Sequence, residues 1–513
     1  MLLALDRGGA VPLHRQIYTA LRGAILDARF RPGRRLPSTR TLAADLGVSR
    51  TTVLGAYDQL AAEGFIKSRS GGGSRVAEVA ATAPDRRPAP RGRRNVTAFA
   101  APPVSAVGAA TLAFYERGGN LSSRADANVA PSRPGPVPFT LGIPALGAFP
   151  VKTWARLSAR HWRRSARNLM LPSDGAGYRP LREAIAEYTF TARGVRCQAD
   201  QVIVTAGATQ GIALTARLLL EPGNEVWMEE PGFAPARAAF TALGARVVSV
   251  PVDRDGLDVA QGTRAAPHAR LAFVTPSFQA PTGAVMSLER RLALLDWAAA
   301  RGGWIVEDDY NGEFRYDGRP LASLQGLEHR GGERIIYLGT FSKTVFPALR
   351  LGYAIVPEAL IDAFAVARLN ADRHSPVLEQ AVLADFIHEG HFARHVRAMR
   401  GLYAERQRTL VDLAREELDG LIRIEAAPAG MRLLGSLPSG VRDLDVAAQA
   451  RRRGIDVAPL SQLCVERPGR NALLLGYAPF GPAEIRRGLR ALRECIRECM
   501  AQAGETSRGP SPS

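Results

Sequence analysis

The first eighty residues alternate apolar and polar positions with a helical period. "PLHRQIYTALRGAIL" sets Leu13, Ile17, Leu21, Ala24 and Ile25 on one stripe and keeps Arg15 and Arg22 off it, which predicts a first helix. After "RFRPGRRLP", Ser38 is a good N-cap for "TRTLAADLG", which Gly47 closes. Ser49 then caps "RTTVLGAYDQLAAEG", whose Val53, Tyr57 and Leu60 form an inward stripe. Two helices joined by Gly-Val-Ser read as a helix-turn-helix. "FIKSRSGGGSRVAE" adds two β-like runs around a Gly-rich tip, a wing with Lys67, Arg69 and Arg75 on its arms. In this motif the second helix enters the major groove of double-stranded DNA by its N-terminal end, so Arg50, Thr51 and Thr52 are the natural base and phosphate contacts. Ser38, Arg40 and Ser49 at the two helix starts, and Lys67 and Arg69 on the wing, complete the candidate DNA-binding set.

From about residue 80 to 137 the periodicity disappears into "ATAPDRRPAPRGRR" and Ala-, Gly-, Ser- and Pro-rich sequence. Such a stretch buries no continuous apolar face and reads as a linker. Beyond it, β-rich apolar runs alternate with helical ones: "QVIVTA", "NEVWMEEPGF", "ARVVSVPVD", "RLAFVTPS", "GWIVEDDY" and "RIIYLGTFSK", with helices such as "TQGIALTARLLL" and "RRLALLDWAAARG" between several of them. This order predicts an α/β domain with a mostly parallel sheet over 138–503, ligands lying at the strand carboxyl ends. With the winged helix over 10–79 the chain is an α+β multi-domain protein. The tail 504–513, "GETSRGPSPS", is expected to be disordered.

Charge sharpens the picture at the N-terminus. The chain of 513 residues carries +18, and residues 1–95 hold 17 basic and 7 acidic side chains, a net +10. A basic segment attracts polyanions, nucleic acid foremost. No apolar run is long enough to span a bilayer, and "MLLALDRGGA" lacks the features of a secretion signal, so a cytoplasmic protein without a membrane partner is expected. The four cysteines form no C-x-x-C pair and read as reduced thiols, and no metal site is expected.

Composition also singles out one residue. Of 67 basic side chains only Lys67, Lys152 and Lys343 are lysines. Arginine serves wherever charge or a hydrogen-bond fork is wanted, but it cannot become a neutral amine nucleophile at ordinary pH. Lys343 ends the strand-like run "YLGTFSK", Asp308 and Tyr310 end "WIVEDDY", Arg350 follows seven residues after Lys343, and Gly207, Ala208 and Thr209 sit where a strand opens a helix. A lysine to condense with an aldehyde, an acid to keep a pyridine nitrogen protonated, and an arginine with a helix N-terminus for a phosphate are the groups pyridoxal 5′-phosphate requires.

The pattern from Gly33 to Gly64, "G..LPS.R.LA..LGVSR.TV..AY..L..EG", resembles the winged-helix domain of the GntR superfamily. The motifs "GYRPLR", "TAGATQG", "EEPGF", "TPSFQAPTG", "EDDYNGEF" and "GTFSKTVFPALRLGY" resemble fold-type I aminotransferases, with a small C-terminal α/β subdomain, and the whole chain is similar to MocR/GabR-type transcription regulators. The resemblance implies that Lys343 bonds the cofactor aldehyde and is the catalytic residue of any reaction. It implies that Asp308 pairs with the pyridine nitrogen, Tyr310 with the ring oxygen, and that Phe233 stacks on the ring. Ala208, Thr209, Thr340 and Arg350 would form the phosphate cup, and Tyr178 would reach the phosphate of a neighbouring subunit, which implies a homodimer.

Two departures stand out: Ala280 precedes "PTG" where aminotransferases carry Asn, and Phe278 stands where these regulators often carry His. Aminotransferases place an arginine just before this late strand to clamp a substrate carboxylate; "NALLLGYA" contains none, and Arg470 is the nearest candidate. Two readings therefore stay open. One is a regulator sensing pyridoxal phosphate, an amine or an amino acid; the other is a competent aminotransferase carrying a DNA-binding domain.

Overall fold

The computed structural model describes residues 5–8, 11–27, 29–69, 73–77, 135–316, 322–328, 333–466 and 471–506. The linker over 80–134 with its cluster Arg86 to Arg94, the wing tip at 70–72, Arg470 and the tail from 507 lie outside the described residues. The chain divides into two compact units, residues 1–102 and 103–513.

In the first unit α1 (Leu13–Leu26), α2 (Thr39–Leu46) and α3 (Arg50–Ala62) precede a hairpin of β1 (Ile66–Arg69) and β2 (Gly73–Val76). Of the predicted stripes, Ile17, Leu21, Ile25, Val53, Tyr57 and Leu60 pack together with Leu42 and with Ile66 and Val76 of the hairpin, while Leu13, at the start of α1, is only partly buried. Gly47 ends α2 in the left-handed region at φ 61°, which a residue without a Cβ adopts at little cost.

The second unit is built on an eight-stranded sheet: β3 (Val202–Thr205), β4 (Glu225–Glu230), β5 (Arg246–Asp253), β6 (Gly256–Leu257), β7 (Leu271–Val274), β8 (Trp304–Asp308), β9 (Ile335–Thr340) and β10 (Gly352–Ile355). Their order is β3-β10-β9-β8-β7-β4-β5-β6. The pairs from β9 across to β5 are parallel, while β10 runs antiparallel to both β3 and β9, and β6 to β5. Period-two alternation splits each strand between the faces: Ile203, Met228, Phe273, Val306 and Ile336 enter one apolar cluster, while Val202, Trp227, Ala272, Ile305 and Tyr337 enter those on the other side.

A second, antiparallel sheet follows, with β11 (Arg423–Ile424), β12 (Arg432–Ser436), β13 (Ala458–Pro459) and β14 (Ala472–Gly476) in the order β11-β12-β14-β13. It packs with the helices His391–Leu418 and Pro482–Thr506 around a core including Tyr403, Leu433, Leu475 and Leu489. The last helix runs to Thr506, three residues into the segment expected to be tail. Gly504 weakens a helix without stopping it, and Pro510 is the first proline beyond it.

Candidate functional site

At the DNA-facing candidates, caps set the geometry. Ser38 Oγ accepts from the Thr41 amide at 3.0 Å, and Ser49 Oγ accepts from the Thr52 amide at 3.1 Å. The Thr51 and Thr52 hydroxyls also lie 2.8 and 2.7 Å from Ser49 Oγ, so both are engaged at the start of α3. Arg40 and Arg50 are exposed and make no hydrogen bond or ion pair among the described residues. Arg75 ties the wing to the helices by donating to the Gly33 carbonyl at 3.0 Å, while Lys67 opposite it in register is exposed. Arg69 is the last residue of β1, opposite Gly73. The result is a helix N-terminus with one guanidinium that has no partner among the described residues, and a hairpin whose first arm exposes Lys67.

In the second unit a cavity of about 470 Å³ is lined by Gly142, Gly207, Ala208, Thr209, Phe233, Asp308, Tyr310, Thr340, Ser342, Lys343, Arg350 and Arg432, among others. The parallel strands explain the convergence: Asp308 ends β8, Thr340 ends β9, and Ala208 starts the helix Ala208–Leu219 directly after β3. Gly207, at φ 104°, turns strand into helix and leaves the first helical amides free of intrahelical partners. Arg350 is exposed beside this turn and donates to the Ala206 carbonyl at 2.6 Å. A helix start, a guanidinium, Thr340 and Ser342 form a cup suited to a phosphate.

Lys343 Nζ donates to the Gly142 carbonyl at 2.7 Å. Burial, then the nearby Arg432 cation, pulls its ammonium down to about 8, with Asp308 opposing. This favours the neutral amine that a nucleophile needs. Asp308 is pushed up to about 8 by burial first and by Asp309 and Glu229 next, Lys343 pulling the other way, and its Oδ1 is buried with no hydrogen-bond partner among the described residues. Such a carboxyl oxygen awaits a protonated partner. Phe233 caps the helix Ala234–Ala242 and stacks on Phe273 with ring centroids 6.5 Å apart. Tyr310 Oη donates to the Phe278 carbonyl at 2.9 Å and accepts from Arg432 Nη2 at 2.8 Å.

Eight of the nine predicted ligand residues thus line one cavity. Tyr178, the ninth, does not: it caps the helix Arg179–Arg193 and packs against the cluster around Leu181 and Phe386. Its expected target belongs to a neighbouring subunit.

Residues 138–491 match the aminotransferase class I and II family, and residues 13–76 match the gntR family of bacterial regulatory proteins. The chain is 42% identical to the probable rhizopine catabolism regulatory protein MocR of Rhizobium meliloti, over 96% of each chain. It belongs to the MocR-type regulators of the GntR family. It is also 33% identical to the HTH-type transcriptional regulator TauR of Rhodobacter capsulatus, over 96% of this chain and 98% of that one. Among solved structures, LysN, the α-aminoadipate aminotransferase of Thermus thermophilus complexed with N-(5′-phosphopyridoxyl)-L-leucine, matches with a TM-score of 0.66 and 29% identity, covering 71% of this chain and 92% of that one.

In this MocR-type chain the sequence reading missed Arg432 and Ser342. Ser342 could have been found beside Lys343 in "TFSK". Arg432 carried one faint signal, a charge inside the apolar strand run "MRLLG", and a chain this rich in arginine drowns such a signal. Among the described residues, no helix is long and apolar enough to cross a membrane and no group of residues could hold a metal ion.

Proposed function

We propose that this regulator binds double-stranded DNA through α3 and the wing, as a homodimer, and senses pyridoxal 5′-phosphate or a small amine or amino acid in the cavity of its second unit. The observation that carries the reading is the partnerless, buried Oδ1 of Asp308 in the same cavity as Lys343. The donor set fits the cofactor. Lys343 is the amine for the aldehyde carbon, Asp308 the acid for the pyridine nitrogen, Phe233 the apolar face for the ring, and Tyr310 the partner for the ring oxygen. Ala208, Thr209, Thr340 and Arg350 receive the phosphate. Tyr178 serves the phosphate of the other subunit. When bound, pyridoxal phosphate supplies an electrophilic aldehyde and an electron-accepting ring.

The cavity residues act by holding and releasing protons. Lys343, lowered to about 8, presents a larger neutral fraction near neutral pH than an ordinary lysine. Asp308, pushed up to about 8 by burial, holds its proton near neutral pH, and the cationic ring nitrogen of the cofactor would be its partner. A ligand that competes for Lys343 changes what that side chain touches, and a difference in contacts between two states is what shifts an equilibrium.

A second reading, a competent aminotransferase, is favoured by Arg432, which puts a guanidinium in the cavity. A turnover assay with amino acids and 2-oxo acids separates the two.

The test of the cofactor assignment is borohydride reduction of the protein loaded with pyridoxal phosphate, followed by digestion and mass spectrometry. The phosphopyridoxyl mass is expected on the peptide holding Lys343 and to vanish in Lys343→Arg. Lys67 and Lys152 are exposed internal controls. Label on another peptide, or on none, overturns the assignment.

A further inference from the structure

Residues 5–8 run against the first unit and are tied to it at three places. Gln16 of α1 holds Asp6 from both sides: its Oε1 accepts from the Asp6 amide at 2.9 Å, and its Nε2 donates to the Asp6 carbonyl at 2.8 Å. Leu5, partly buried, packs against the core of the unit. Arg7 Nη2 donates to the Leu46 and Gly47 carbonyls, each at 3.1 Å. Chain ends are seldom ordered unless tied in this way, and these ties place one guanidinium at the turn between α2 and α3.

That turn does not need Arg7 to close α2. The Gly47 amide already donates to the Ala43 and Ala44 carbonyls, and the Val48 amide donates to that of Ala43 at 3.0 Å, so backbone alone caps the helix end. Gly47 is exposed, and water could serve its carbonyl. Arg7 meets both remaining carbonyls with a single nitrogen. Its Nε and Nη1 have no partner among the described residues, and the side chain is exposed.

Several other arginines of the unit are matched within it. Arg29 pairs with Asp27 at 3.0 Å, Arg22 approaches Glu63 at 4.0 Å and lies over the Phe65 ring, and Arg34 lies over the Phe30 ring. Arg7 has no acidic partner among the described residues, because the neighbouring Asp6 carboxylate accepts from the Gly8 amide at 3.0 Å instead. Two residues beyond Gly47, Ser49 caps α3, and Arg50 opens it. The Arg7 cation therefore stands beside a helix start whose own dipole attracts anions. When the N-terminal end of α3 enters a major groove, the turn just before it passes the strand that borders the groove.

We propose that Arg7 is a DNA contact whose remaining donors, Nε and Nη1, bind a backbone phosphate of the strand bordering the groove that α3 enters. The N-terminal arm is then a further element of the DNA interface, one that fixes register and carries no sequence information. Arginine suits the task because its planar fork can hold the turn with one nitrogen and a phosphate with the others. The inference rests on the proposed DNA-binding role of α3.

The experiment titrates the full chain onto a duplex carrying its footprinted site and onto a scrambled duplex of equal length, at several salt concentrations. Arg7→Gln keeps an N–H donor for the turn carbonyls and removes the charge. It is expected to weaken binding to both duplexes alike and to reduce the slope of log affinity against log salt by about 0.9 for each subunit bound, the contribution of one phosphate contact. Arg7→Lys, which keeps the charge, is expected to retain the wild-type slope. Thermal unfolding of each variant reads the turn separately. Should Arg7→Gln destabilise the unit, Arg7→Lys against Arg7→Met decides, since both lose the fork and differ in charge.

Three results overturn the proposal. An unchanged slope in Arg7→Gln, even with weaker binding, would leave Arg7 as a brace of the turn. A loss confined to the footprinted site would make it a support for base reading by α3. Equal slopes for Arg7→Lys and Arg7→Met would show that its charge meets no phosphate. Wild type that binds neither duplex sinks the DNA-binding reading itself, whereas wild-type binding with an unaltered slope in Arg7→Gln sinks only the role of Arg7.

Discussion

Asp308 occupies surroundings that favour its neutral form. Its folded pKa, about 8, lies above the ordinary 3.8, so in the ligand-free protein the folded state holds a proton that the unfolded state has lost between those values. Stability from this group therefore falls as pH rises from about 4 to about 8. Asp308→Asn keeps the shape and removes the titration. The ligand-free variant should unfold at a higher temperature than wild type at pH 7–8, by a margin of roughly 1–3 kcal/mol that shrinks toward pH 4. Its affinity for pyridoxal phosphate should fall, because the amide cannot take up the charge of a protonated ring nitrogen. Calorimetry across pH, and a spectroscopic titration with the cofactor, check the two halves. Lys343 has the opposite profile: lowered from 10.5 to about 8, it penalises the folded state below pH 8 and ceases to do so as pH climbs through 10.5. At this scale the sequence was informative wherever a residue type was scarce. One of three lysines was conspicuous at a strand end; Arg432, one of many arginines, was not, and only the folding of β12 against Phe278 and Tyr310 reveals it.

Strand ends are where element geometry becomes chemistry. Apolar runs and turn residues sufficed to locate β3, β8 and β9 and hence the side chains at their termini, but β10 was not among the runs read as strands. "LGYAIV" is a short apolar run that could pair either way. The chain reverses between Thr340 and Gly352, with Arg350 in the left-handed region at φ 52°, and inserts β10 antiparallel between β3 and β9. That insertion brings two glycines together. A Cβ on Gly352 would lie 2.8 Å from Gly207 Cα and 2.8 Å from the Gly339 carbonyl oxygen, both backbone atoms that cannot swing aside. Gly352→Ala should therefore cost about 1–3 kcal/mol of stability as an overpacking change and displace the turn that opens the phosphate cup. Thermal unfolding and cofactor titration of this variant should both report a loss. A weakened cofactor with unchanged stability, or neither effect, would show that the contact is relieved elsewhere.

On the scale of the whole molecule, the first unit supplies charge and a reading helix while the second supplies a ligand cavity, and a regulator needs both. The division into two units, one matching the gntR family and one the aminotransferase class I and II family, was legible because each has its own periodicity, and because +10 of the +18 charge falls in the first 95 residues. A homodimer is expected from the resemblance alone, which assigns Tyr178 to a neighbouring subunit; Tyr178 does not line the cavity that holds Lys343. If the proposed homodimer forms, two copies of α3 are available at once, and DNA with two half-sites should bind more tightly than DNA with one by the gain of a second, tethered contact. The two basic residues then divide the work. Arg50, exposed and without a partner among the described residues at the start of α3, is proposed to read a base edge, so Arg50→Ala should cost about 1–3 kcal/mol per half-site on the operator and little on unrelated DNA. Lys67, on the wing, should contact phosphate; Lys67→Ala should weaken all sequences alike and reduce the slope of log affinity against log salt by about 1 for each subunit. Titrations of both variants on operator and scrambled duplexes at several salt concentrations measure the two effects together. Equal losses on both duplexes for Arg50→Ala would move it from base reading to phosphate contact, and equal affinity for one and two half-sites would remove the dimer from the binding mechanism.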